Sequence, residues 1–190
     1  MRRRHVLATT IVMAALAVSP MVATASANTA EKGTAPGAWA KSVCTNVGAW
    51  VATIEHASAG KAATATTTKP KAAKKALLKL VGIAVTATKK LVVKLKRAGV
   101  PAVKGGGLLA SEVRDGYSQV VRSLQQSQRD LKRASVKSST AFLAAARGVE
   151  DALESALEHV QAAFNAATNL DIPPLLKAFA AQPACAKITA

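Results

Sequence analysis

Few side chains in this chain could do chemistry on their own. Its only two cysteines are Cys44 and Cys185, accompanied by three histidines, His5, His56 and His159. A redox pair needs its sulfurs close together, as in Cys-x-x-Cys, and a zinc site needs Cys or His at short, repeated spacings. Neither pattern occurs, so the expectation is that Cys44 and Cys185 bond to each other and that no metal or cofactor is held. Glu150, Glu154 and Glu158 follow at four-residue steps, which on a helix is the usual solvated arrangement and not an acid–base pair. There is no Gly-x-Ser-x-Gly elbow and no His-Glu-x-x-His, and Gly105-Gly106-Gly107 lacks the Gly-Lys-Ser/Thr of a phosphate loop. An enzyme is not expected.

Charge is the stronger signal. Lys and Arg number 26 against 10 Asp and Glu, a formal charge of +16. Between residues 57 and 111 there are 12 Lys or Arg and no acid, with Lys69-Pro70-Lys71-Ala72-Ala73-Lys74-Lys75 at the centre. On a helical wheel Lys75, Lys79, Lys89, Lys90 and Arg97 fall opposite Leu77, Leu91 and Leu95, making a basic amphipathic helix of the kind associated with anionic surfaces. Lys71, Lys74, Lys75, Lys79, Lys89, Lys90 and Arg97 are therefore the candidate polyanion-binding residues. The expected partner is an anionic envelope surface, either lipid headgroups or acidic wall polymer. The plainer reading is a solvating surface, partly neutralised by residues 148–176, which hold five acids and no Lys or Arg. Nucleic acid is not an expected partner: lysine–alanine tracts recur by composition, and the stacking aromatics of single-strand binders are missing. A third reading is a carrier of a small apolar ligand in the helical core near Trp39, Trp50 and Phe164.

The elements that must position these residues begin with an export segment. Arg2, Arg3 and Arg4 precede a mostly apolar stretch over residues 6–18, and Ala25-Ser26-Ala27 offers a small-residue cleavage site. Residues 1–27 thus read as a signal peptide, with an apolar core short of the ~20 residues a spanning helix needs. Arg3-Arg4 leaves the route open between general secretion and twin-arginine export. Cleavage would release a basic protein outside the cytoplasmic membrane, secreted or loosely held at the wall or membrane surface. Such a compartment favours disulfides.

Half of the residues are hydrophobic, yet 43 positions are alanine and only six are Phe, Trp or Tyr. That mixture excludes a β-sandwich and points to helices. Residues 28–36 read as a flexible lead-in to one domain spanning 37–190. Four stretches have helical period: about 37–58, 71–98, 108–134 and 138–169. Their stripes are Trp39-Val43-Val47-Trp50-Ile54-Ala57, Leu77-Val81-Ala84-Thr88-Leu91-Leu95, Leu109-Val113-Tyr117-Val120-Leu124-Leu131 and Phe142-Ala145-Val149-Leu153-Ala156-Val160-Phe164-Ala167. Gly99-Val100-Pro101 and the three glycines break the second from the third, with a flexible connection expected. The join near residues 135–140 has no Pro or Gly, so two helices and one kinked helix are both open. Pro173-Pro174 opens a short helix before the tail that carries Cys185. The expectation is an all-α fold, an elongated antiparallel four-helix bundle, with a short C-terminal helix stapled back by the Cys44–Cys185 disulfide.

The segment Val43-Cys44-Thr45-Asn46-Val47-Gly48-Ala49-Trp50, a Cys-x5-Trp opening the first helix, resembles small exported actinobacterial proteins. Those proteins also carry a late cysteine, matched by Cys185, and alanine-rich helices. The resemblance implies an exported helical fold and assigns no activity.

Overall fold

The computed structural model describes residues 33–59, 70–169 and 172–189. The signal segment and the linker at 60–69 lie outside the described residues. Those that are described form six helices and no strand: α1 Pro36–Ala59, α2 Pro70–Ala98, α3 Gly106–Arg133, α4 Ser139–Asn169, α5 Pro173–Ala180 and α6 Pro183–Thr189. Four of the six open on proline, whose fixed φ suits a first helical turn that needs no N–H donor. The four long helices are about 36 to 47 Å in length.

Burial follows the predicted stripe along α2 and α3 and over the first four stripe residues of α1, whose Ile54 and Ala57 are half-buried. Among the described stripe residues of α4 it reaches only Val149. On α1 the buried residues are Trp39, Ala40, Val43, Cys44, Val47 and Trp50. On α3 they include all six residues of the stripe from Leu109 to Leu131. On α2 the stripe from Val81 to Leu95 is buried, Leu77 is half-buried, and Ala73, Leu80, Val85 and Ala98 join it. On α4 Val149 and Ala152 are buried, while Phe142, Ala145 and Leu153 pack at the margin.

Helix α2 packs between α1 and α3, and α3 packs between α2 and α4. Hydrogen bonds set the registers. Trp39 Nε1 donates to Gly99 O at 3.0 Å and Trp50 Nε1 to Thr88 Oγ1 at 3.0 Å, so numbers rise along α1 as they fall along α2. Lys74 Nζ reaches the Lys132 and Ala134 carbonyls, and Ser127 Oγ donates to Gly148 O at 2.7 Å. The flank of α1 that a closed four-helix ring would give to α4 is covered instead by α5 and α6.

The disulfide joins Cys44 to Cys185 with a Cα–Cα distance of 4.9 Å. Cys185 sits on α6, a helix beyond the single short C-terminal helix that was expected. Pro183 at its first position was the available signal. The bond uses both sulfurs, so neither is a free thiol in this state.

Two connections are tighter than expected. Of the lead-in, residues 33–35 are pinned: Thr34 N donates to Val100 O, Ala102 N to Thr34 O and Thr34 Oγ1 to Ala98 O. The glycines after α2 likewise serve close packing. Gly99 ends the helix with φ at 76°, a left-handed conformation costly for a Cβ-bearing residue. A Cβ on Gly106 would overlap the Pro101 carbonyl oxygen. The α3–α4 join is a true break made by serines. Lys137 N donates to Ser135 Oγ at 3.2 Å, and Ala141 N to Ser138 Oγ at 3.3 Å, an N-cap at the start of α4.

At the centre Trp50 meets Tyr117 edge to face, with ring centroids 5.6 Å apart. Tyr117 is 1% exposed, and its hydroxyl has no hydrogen-bond partner among the described residues. Burial pushes its ionisation well above the usual tyrosine range. The folded state therefore keeps a proton that the unfolded chain releases above pH about 10, so stability falls as pH rises past that point. Tyr117 is the only tyrosine in the chain. Near-ultraviolet absorbance should register no phenolate until the helices melt, and Tyr117→Phe should flatten the alkaline loss of stability. Phenolate forming at ordinary pH with helicity intact would contradict the burial.

Candidate functional site

The basic residues singled out from the sequence lie on α2. Lys71, Lys75, Lys79, Lys89, Lys90 and Arg97 are exposed, and so are Lys94 and Lys96. Helical spacing puts Lys75, Lys79, Lys89, Lys90 and Arg97 on one face because successive residues turn by about 100°. Val93, 49% exposed, sits among them. Among the described residues no carboxylate is in ion-pair contact with these cations. The exposed Glu150, Glu154 and Glu158 belong to α4, which meets α2 only marginally.

Lys74 differs from the rest. It is half-buried, and its ammonium donates to Lys132 O at 2.7 Å and Ala134 O at 2.6 Å. A cation at the carbonyl-rich end of α3 is favoured by unsatisfied acceptors and by the helix dipole. Two of its three donors hold α2 against α3, a structural task that a wheel of α2 alone does not reveal.

One flank of the basic face turns into a furrow between α1 and α2 with a volume of about 460 Å³. Its apolar lining is formed by Trp50 and Leu91, both buried, by the half-buried Ile83 and Ala87, and by the exposed Ala49. Its rim carries Lys79, Lys90 and Lys94, together with Asn46, Thr53 and Thr86. No acidic residue lines it. The register that sets Trp50 on Thr88 brings these residues together, and the furrow stays open because Ala49, Gly82 and Ala87 have little or no side chain to fill it. Lys94 was not among the residues picked from the sequence. Its position four after Lys90 was visible, but its place on the rim depends on where α1 lies.

A second hollow, about 480 Å³ and more open, lies where the end of α3 faces the start of α4 between Asp130, Arg133 and Ala145. It carries both charge signs and no dominant chemistry. Trp39 is buried, edge-on to Phe179 with centroids 5.9 Å apart. The Phe164 side chain lies outside the described residues. His56 is exposed at the end of α1. Among the described residues no helix is long and apolar enough to cross a membrane.

Fold and site together define a disulfide-closed, all-helical protein with a lysine face beside an apolar furrow. Comparison with protein-family models, with curated proteins and with solved structures finds no match to this chain.

Proposed function

We propose that the protein is an exported, non-enzymatic interaction protein of the cell envelope whose α2 face attaches to an anionic surface of lipid headgroups or acidic wall polymer. In this reading the long helices form an antiparallel four-helix bundle, with α5 and α6 held on α1 by the disulfide. The observation that carries the proposal is the row of exposed cations on α2 with no carboxylate in contact among the described residues. Cations with no carboxylate partner among the described residues give up no such partner when they meet an external anion. Each lysine near an anionic membrane contributes about 1 kcal/mol, so four together supply close to a thousandfold in affinity.

The test is vesicle binding by the protein with Lys75, Lys79, Lys89 and Lys90 all changed to Gln. The unmodified protein should bind vesicles rich in anionic phospholipid, release them as salt rises and ignore zwitterionic vesicles. The quadruple variant should lose at least a hundredfold in affinity while keeping its helicity. Equal binding by the variant and the parent would remove the proposal.

A further inference from the structure

The basic face explains attachment to a surface, but it does not explain why its flank opens onto an apolar lining. We infer that the furrow between α1 and α2 is a binding site for a single long-chain alkyl carboxylate, with its head between Lys90 and Lys94 and its chain along Trp50, Ile83 and Ala87. The inference shares two lysines with the proposed surface attachment but does not require it.

Four observations carry it. The furrow's volume, about 460 Å³, lies in the range of small-molecule sites, roughly 300 to 1,000 Å³. Its composition is segregated: apart from Asn46 the buried and half-buried lining is apolar, and the three charged residues are all exposed. That is the division an amphiphile needs and a wholly polar ligand does not. The rim charge has one sign: Lys90 and Lys94, one helical turn apart, both line the furrow, and no acid does. Their side chains lean toward the N-terminal end of α2 and so along the furrow. Finally, the furrow is elongated: its α2 lining runs from Lys79 to Lys94, about 22 Å along the helix axis, which suits one extended chain laid between two helices. A furrow between a single pair of helices seats one such chain and not two, which favours a fatty carboxylate over a two-chain phospholipid. At the far end the Lys79 stem can cover the end of the chain while its ammonium stays in water.

The test is calorimetric titration of the full chain, disulfide intact, with oleate below its micelle-forming concentration. Oleyl alcohol and butyrate serve as controls for head and tail. Expected is one oleate bound per chain, with both controls at least tenfold weaker. Lys90→Gln with Lys94→Gln should weaken oleate at least tenfold. Ala49→Phe, at an exposed position lining the furrow where added bulk does not enter the core, should abolish binding with helicity unchanged. Oleyl alcohol binding as tightly as oleate would overturn the assignment of the head. Oleate binding untouched by Ala49→Phe, or none at all, would overturn the site. Failure here is separable from failure of surface attachment. Ala49→Phe should leave salt-sensitive vesicle binding intact, and Lys75→Gln with Lys89→Gln, both outside the furrow, should leave oleate binding intact.

Discussion

Breaking the Cys44–Cys185 bond is expected to lower the stability of the protein by about 3 to 5 kcal/mol, a large share of the roughly 5 to 15 kcal/mol that holds a typical domain together. The bond spans 141 residues of sequence. A cross-link over so long a loop removes more unfolded-state freedom than one over a short loop, and chain-entropy arguments place the upper limit near 5 kcal/mol. The loss should also be local. Helix α6 has seven residues, far below the length at which an isolated helix persists in water, so without the bond it depends on packing against its neighbours, α1 first among them. Denaturant unfolding with and without reductant measures the total. Amide exchange should accelerate first in α6 and α5, with α2 and α3 following only at global unfolding. A midpoint unmoved by reduction would mean that the bond constrains little.

Trp39→Ala is expected to cost about 3 to 5 kcal/mol, the range for emptying a large aromatic site in a core. Trp39 is 2% exposed and ties together three parts of the chain at one end of the molecule. Its ring meets Phe179 of α5, its Nε1 donates to Gly99 O where α2 ends, and its backbone lies in the first turns of α1. Trp39→Phe keeps much of the packing and loses the donor to Gly99, so about 1 to 3 kcal/mol is expected for it. Urea midpoints of the two variants measure both steps. A Trp39→Ala variant within about 1 kcal/mol of the parent would show that α5 and the α2–α3 connection are held by other contacts.

The helices were legible because burial follows a 3.6-residue period that needs no partner to be seen, as in the run from Leu109 to Leu131. The disulfide was legible because the chain has two cysteines, which leave one pairing. Features that depend on neighbours were not. The three glycines suggested a loose connection, whereas Gly106 lacks a Cβ because the Pro101 carbonyl occupies that space. Ser135 and Ser138 end one helix and begin another through side-chain hydrogen bonds that composition does not separate from a continuous helix. The basic face was readable from α2 alone, but Lys74 belongs to the end of α3, and Lys94 joins the rim only once α1 is placed. Site chemistry that arises between two helices becomes visible only with their register.

The most direct test of the central claim is co-sedimentation of the protein with its own host's envelope fraction at ~0.05 M and ~0.5 M salt, between which the screening length falls roughly threefold. Binding at low salt that is released at high salt is the predicted result, and it would make the α2 face a docking surface. No binding at either salt would contradict the account and return the α2 lysines to keeping the protein in solution.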